Sequence, residues 1–131
     1  MNKFTKGILS LGIALSILAG ATGVTAFAAN YQSATVAGYG VVCKSDIKYS
    51  TATAYTTYGN YASVSVESTY RYCNTSTGVS GRKSNGTGSN KSASLSFKAP
   101  SNNKSVSISS THKVSAGGQY WSTNTFDDKE A

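Results

Sequence analysis

Residues 50–73 read STATAYTTYGNYASVSVESTYRYC and alternate small hydroxyl residues with tyrosine, valine and alanine. Alternation of polar and apolar residues is typical of a β-strand that is buried on one face only. Gly59 and Asn60 interrupt the pattern and favour a tight hairpin turn. The stretch therefore predicts an antiparallel hairpin whose strands join at Gly59-Asn60 and lie side by side in one sheet.

The hairpin register predicts which side chains are buried. Tyr49 would face Tyr70 across the pair, and the other large apolar residues of both strands would share that inner face, except Tyr58 and Tyr61, which would pair on the outer side at the tip. The opposite face would carry mainly hydroxyl groups and would bring Lys48 opposite Arg71. Because like charges across a ladder are unfavourable, this pair indicates either screening by a nearby acid or a dock for phosphate or carboxylate.

Several cations and aromatic rings are candidates for contact with a partner. Exposed tyrosine or tryptophan near basic groups can stack on sugars or lie at a membrane interface. Residues 74–91, NTSTGVSGRKSNGTGSNK, are predicted to form a long basic loop that is either a contact loop or a mobile connection. The predicted ligand-binding residues are Lys48, Tyr58, Tyr61, Arg71, Arg82, Lys83 and Trp121.

The rest of the chain continues the alternation and shows no helical periodicity. Many short strands without a helix indicate an all-β fold, here a small antiparallel β-sandwich of about six strands. The predicted strands are residues 32–42, 47–58, 61–74, 92–98, 105–114 and 120–126.

The N-terminal residues have the order of a secretory signal. Lys3 and Lys6 precede an apolar segment, and small residues follow at Ala26 and Ala28. We therefore expect cleavage of residues 1–28 and release of the mature protein outside a bacterial cell, with no transmembrane segment. Residues 29–126 are predicted to form the β-sandwich domain, and residues 127–131 an acidic disordered tail.

The charge balance predicts the class of partner. The chain has 12 lysine and arginine residues against 5 acids, a net charge of +7. A basic exported protein favours an anionic cell-wall polymer, a glycan or an envelope surface. Nucleic acid is not expected as a partner, because the basic residues are scattered and the chain is exported.

The chain has two cysteines and one histidine. In an oxidising compartment two cysteines in a small domain usually pair, so a disulfide between Cys43 and Cys73 is expected. This set is too small for a zinc site. We therefore predict neither a metal nor another cofactor.

No pattern of catalytic residues is present, so the protein is not expected to be an enzyme. His112 has no Gly-x-Ser-x-Gly motif to accompany it, and its place in the alternation predicts a partly buried position in a sheet. Asp46 and Glu67 would lie roughly 20 Å apart in the predicted hairpin, too far for the paired carboxyl groups of a glycosidase.

These features predict a secreted, non-enzymatic β-sandwich that binds an anionic or glycan surface. An adhesin or structural subunit that assembles through sheet edges is one alternative. The other is an antibacterial protein that acts on the envelopes of competitors. The sequence GYGV (Gly38–Val41), with the export signal, basic charge and aromatic strands, resembles the all-β bacteriocins of the lactococcin type. The resemblance covers these four residues and the all-β architecture, and it implies the antibacterial role.

Overall fold

A computed structural model describes residues 29–129, and these form eight β-strands in two antiparallel sheets that pack face to face. The predicted all-β sandwich is confirmed, with more strands than expected. The predicted signal peptide, residues 1–28, lies outside the described residues. The strands are β1 (Tyr31–Val36), β2 (Tyr39–Ile47), β3 (Thr51–Tyr58), β4 (Ser63–Asn74), β5 (Ser80–Ser89), β6 (Ser92–Lys98), β7 (Asn103–Ala116) and β8 (Gln119–Asp128).

The chain passes repeatedly between the two sheets. The front sheet has the strand order β1-β2-β3-β6, and the back sheet has the order β5-β4-β7-β8. The connections β3 to β4, β5 to β6 and β6 to β7 therefore cross from one sheet to the other. At the sides of the sandwich, β5 packs beside β6 and β1 packs beside β8.

The predicted hairpin at Gly59-Asn60 is wrong, because β3 and β4 belong to different sheets. Tyr55 of β3 pairs with Lys44 and Ser94, whereas Tyr70 of β4 pairs with Lys83 and Ile108. Residues 59–62 instead form an arch between the sheets. The Tyr58 amide donates to the Lys91 carbonyl and the Ala62 amide to that of Asn90, so the arch is tied to the crossing from β5 to β6.

The inner face is correctly predicted for β4 and inverted for β3. Val64, Val66 and Tyr70 of β4 are buried as expected, but β3 buries Ala52, Ala54, Thr56 and Tyr58 and turns Tyr55 outward. This inversion follows from the space that the core needs for aromatic rings. Ala52 pairs with Phe97 of β6, and the Phe97 ring stacks on Tyr70 of the opposite sheet at 5.5 Å. Small alanines leave space for these rings, and the Tyr58 hydroxyl donates to the Val36 carbonyl at 2.6 Å.

The region predicted as a basic loop contains β5, which forms an edge of the back sheet along the whole length of β4. Its side chains are exposed and it contains three glycines, so no apolar alternation marked it as a strand. β7 also departs from a regular alternation. Opposite Arg71 and Tyr72, a β-bulge in β7 turns Val106 toward solvent.

The core contains a hydrogen-bonded polar chain that joins the two sheets. His112 lies on a strand, β7, as predicted, but it is fully buried and not partly buried, and its ring forms hydrogen bonds with Thr56 at 2.8 Å and Thr125 at 2.7 Å. Thr125 continues to Ser45 at 2.6 Å. The members of this chain are Ser45, Thr56, Ser68, Ser110, His112 and Thr125. Each hydroxyl in this set of six residues therefore has a partner, which removes most of the cost of burying it.

The predicted disulfide is wrong, because Cys43 and Cys73 are both free. Cys43 is fully buried on the front sheet, where it pairs with Thr56, whereas Cys73 is partly exposed on the outer side of the back sheet. The two side chains therefore leave different sheets in directions that do not meet. Burial raises the pKa of the Cys43 thiol far above its ordinary range, and a hydrogen bond with Thr56 offsets only part of that rise.

The thiols are expected to differ in reactivity. Iodoacetamide at pH 8 should label Cys73 in the folded protein and should spare Cys43, which is both inaccessible and protonated. In urea both should react. Mass spectrometry of tryptic peptides measures the two rates, and the urea sample is the control. Equal labelling without urea, or no labelling in urea without reductant, would contradict this account of the cysteines.

The β-sandwich extends past the predicted domain boundary at residue 126. β8 ends at Asp128, so Asp127 and Asp128 belong to a strand and not to a disordered tail. The Asp127 carboxylate accepts a hydrogen bond from the Ile47 amide at 3.0 Å and thereby holds the end of β8 against β2. The last two residues of the predicted tail lie outside the described residues.

Candidate functional site

The structure separates the seven predicted ligand-binding residues into three groups. Tyr58 and Trp121 are 1% exposed and belong to the core, so neither is placed to touch a partner at the surface. Tyr61 is 70% exposed at the end of the sandwich that holds the 59–62 arch. The remaining four all lie at the opposite end: Lys48, Arg71, Arg82 and Lys83.

Three turns build that opposite end, at residues 48–50, 75–79 and 99–102. Backbone hydrogen bonds join them into one unit. The Thr75 amide donates to the Asn102 carbonyl, and the Ala99 amide donates to the Ser50 carbonyl, both at 2.9 Å. The strand ends that carry these side chains are therefore held in a fixed relation to one another.

Arg71 and Arg82 are direct neighbours across the β4–β5 ladder. Both are exposed, and the residue that faces Arg71 on its other side, on β7, is the uncharged Ser107. Cα atoms of directly opposed residues lie about 4.5–5.5 Å apart in an antiparallel pair. Two arginine side chains whose Cα atoms are this close can both donate hydrogen bonds from their guanidinium groups to one phosphate or carboxylate.

Lysines extend this positive charge around the side of the sandwich formed by β5 and β6. The Lys83 ammonium donates to the Lys98 carbonyl at 2.7 Å and so links the edges of the two sheets. Lys98 pairs with Thr51, whose carbonyl accepts from the Lys48 amide. On the back sheet, Lys104 pairs with Cys73, two residues after Arg71. We call this set the basic corner: Lys48, Arg71, Arg82, Lys83, Lys98 and Lys104.

The acids at the same end lie on β2 and β8, away from β5 and β6, and Asp128 is two strands from Arg71, across Ser107. Asp46 is on β2, and Asp127 and Asp128 are on β8, the edge of the back sheet farthest from β5. Asp127 is already occupied by the Ile47 amide. The fold thus separates charges that are mixed along the sequence, and the positive potential is concentrated at the β5–β6 side.

A polar groove of about 490 Å³ begins next to the basic corner, on the outer face of the back sheet. It runs between β5, β4 and β7, along strand positions that precede Arg71 and follow Arg82. Its walls carry one carboxylate and several hydroxyl groups. The residues that line the groove include Glu67, Thr69, Ser84, Gly86, Ser109 and Thr111.

The end with the 59–62 arch has a different chemistry. Tyr61 lies under the Lys91 ammonium at 5.0 Å from the ring centroid, and Tyr39 packs at 6.0 Å from the buried Tyr58 ring. Tyr39 and Tyr120 are 46% and 63% exposed. Tyr61 is therefore part of an aromatic end, separated from the basic corner by the length of the strands.

The metal-ligating side chains of the described residues do not form a cluster. Between residues 29 and 129, no group of three or more histidine, cysteine or acidic side chains is placed to hold a metal ion. Asp46 and Glu67 lie on different sheets. In the same range, no helix has the length and hydropathy to cross a membrane.

Sequence reasoning missed Lys98 and Lys104 as members of the basic corner. Lys98 lies on the outer face of β6, and the pairing of β3 with β6 places it opposite Thr51, whose carbonyl accepts from the Lys48 amide. Comparisons with protein-family models, with curated proteins and with solved structures found no match for this chain. The basic corner is the feature of the described residues whose chemistry points to a partner.

Proposed function

We propose that the protein binds an anionic polymer or glycan of a cell wall or envelope, outside a bacterial cell, and that the basic corner makes the contact. The proposed role is binding without catalysis. The export signal and the basic composition of the chain support the location and the class of partner.

The directly opposed Arg71 and Arg82 carry this proposal. Like charges across a ladder destabilise the pair, typically by a few tenths of a kcal/mol to about 1 kcal/mol. An anion bound between the two guanidinium groups would accept hydrogen bonds from both, and these attractions would outweigh the repulsion between the two cations. Binding of the anion therefore relieves a repulsion that destabilises the free protein, and this relief contributes to the affinity.

Lysines of the basic corner would act at longer range. Lys48, Lys83 and Lys98 are exposed point charges that attract a polymer of repeated negative charges and release its counterions. Their contribution falls as salt rises, whereas paired hydrogen bonds from arginine keep part of theirs. We therefore expect binding that weakens with salt but depends strongly on the two arginines.

The double variant Arg71→Gln and Arg82→Gln tests this role. At low salt it should bind hyaluronan or glycerol-phosphate teichoic acid at least about tenfold more weakly, because charge-assisted hydrogen bonds are lost. Isothermal titration calorimetry measures the affinity. The matched control is Lys44→Gln with Lys113→Gln, which removes the same charge outside the basic corner.

The control should lose no more than about threefold, as expected for screened charges. Equal losses in the two double variants would show that only net charge matters and would contradict the assignment to the basic corner. Failure of the native protein to bind either polymer at low salt would remove the proposal.

A further inference from the structure

We infer that the polar groove is a subsite for an uncharged sugar unit, so that the ligand is a glycan with a carboxylate or phosphate beside a neutral sugar. The inference rests on the proposed function and narrows it. A polymer charged at every unit fits this surface less well.

The groove is open because residue 86 is a glycine. Gly86 of β5 lies directly opposite Glu67 of β4 on the outer face of the back sheet. A Cβ atom at Gly86 would lie 3.1 Å from Cγ of Glu67, closer than ordinary packing. The absence of a side chain at Gly86 therefore leaves the Glu67 carboxylate beside an open floor on an edge strand, where a ligand can approach.

The walls of the groove match the hydrogen-bonding groups of a sugar. Thr69 and Ser84 face each other with their hydroxyl oxygens 3.1 Å apart, and Thr111 donates to the Asn124 side chain at 3.0 Å. These contacts orient hydroxyl groups that can still donate and accept. The Glu67 carboxylate accepts only, which suits the hydroxyl donors of a sugar ring.

Glu67 also excludes a second negative charge from this part of the surface. It is exposed on the groove wall, four residues before Arg71 on the same strand. Four residues of a β-strand span about 13 Å. The ligand must therefore be uncharged beside Glu67 and negative beside Arg71, an arrangement that a short acidic oligosaccharide spans. Repulsion at Glu67 is the element that discriminates against a uniform polyanion.

An aromatic side chain borders the groove on the side of β8. Ser109, which lines the groove, pairs with Phe126, and Phe126 is 36% exposed. Aromatic rings pack against the apolar faces of sugar rings. A carboxylate, hydroxyl groups, an aromatic edge and an arginine pair thus follow one another on one sheet face.

The test compares three polymers of known composition with the native protein. Hyaluronan oligosaccharides alternate a carboxylate-bearing sugar with a neutral one, and glycosylated glycerol-phosphate teichoic acid carries phosphate with neutral sugars. Inorganic polyphosphate is a polyanion without sugar. We expect at least one of the two glycans to bind about tenfold or more tightly than polyphosphate at equal charge concentration, and which one binds separates carboxylate from phosphate recognition.

Two valine variants locate the sugar subsite. Gly86→Val fills the groove and should weaken binding of that glycan about tenfold, while binding of polyphosphate to the basic corner stays unchanged and reports that the fold is intact. Gly88→Val is the matched control, because Gly88 lies on the same face of β5 outside the groove. Its added Cβ would meet the Val64 carbonyl at an ordinary 3.5 Å.

Glu67→Gln gives an independent readout of the same wall. It should strengthen binding of polyphosphate and weaken binding of the glycan, a change in opposite directions that a general loss of stability does not produce. Equal affinity of the native protein for all three polymers, or equal loss in the two valine variants, would overturn the sugar subsite and leave the basic corner standing. No binding to any polymer would overturn both.

Discussion

Acidification from pH 6.5 to about pH 4 is expected to lower the free energy of unfolding by roughly 3 kcal/mol through His112 alone. Burial lowers the pKa of this imidazole from 6.5 to about 4, an effect that a hydrogen bond with the Tyr55 backbone offsets only in part. Such a loss is a large share of the stability of a small domain.

The sign follows from which state binds the proton. His112 is 0% exposed and lies between the hydroxyl groups of Thr56 and Thr125, with no carboxylate as a hydrogen-bond partner of its ring. The folded protein therefore keeps the ring neutral until about pH 4, whereas the unfolded chain takes up a proton below about pH 6.5. Stability is fully present above pH 6.5 and falls between the two values.

Urea unfolding at half-unit steps from pH 7.5 to pH 4 measures this dependence. The variant His112→Gln is the control: it should be less stable at pH 7.5, because its side chain cannot reproduce both hydrogen bonds, but its stability should change much less down to pH 5. Native stability that stays constant from pH 6.5 to pH 5 would contradict the account of a buried neutral imidazole.

The variant Trp121→Ala is expected to lose about 3–5 kcal/mol of stability, the range for truncating a large aromatic side chain in a core. Trp121 is 1% exposed on the inner face of β8, where it pairs with Val114 of β7. Its removal leaves a cavity between the sheets. Near-ultraviolet circular dichroism and urea unfolding measure the loss.

The neighbouring residue provides a matched control for the tryptophan. Tyr120 is 63% exposed, and Tyr120→Ala should change stability by no more than about 0.5 kcal/mol. Trp121 was predicted from sequence to bind a ligand. A Trp121→Ala protein that remains as stable as the native one but loses its affinity for anionic polymers would restore that prediction and contradict the buried position.

The opening stretch shows what a sequence pattern can determine. Alternation reports that a strand has one buried face, and the valines of β4 identify that face correctly. Alternation does not identify the neighbouring strand, because every strand of the sheet that could pair with it shows the same alternation of polar and apolar residues. For β3 the large tyrosines indicated the wrong face, since the burial of Ala52 and Ala54 depends on their β6 partners Phe97 and Leu95, more than forty residues later.

The candidate site illustrates the same limit. Lys48, Arg71, Arg82 and Lys83 were predicted to make contacts, but Lys48 and Arg71 were expected to face each other in one ladder. Arg71 instead faces Arg82, because the segment predicted as a loop forms β5. β5 could not be recognised, since its exposed residues and glycines provide neither alternation nor a hydrophobic face.

The most direct test of the basic corner is residue-by-residue mapping in solution. Titration of ¹⁵N-labelled protein with the tighter-binding glycan, followed by amide chemical shifts, should show the largest changes around Arg71, Arg82 and Lys98, and the changes should vanish in the double arginine variant. Changes centred on Tyr39, Tyr61 and Tyr120 at the aromatic end would contradict the account.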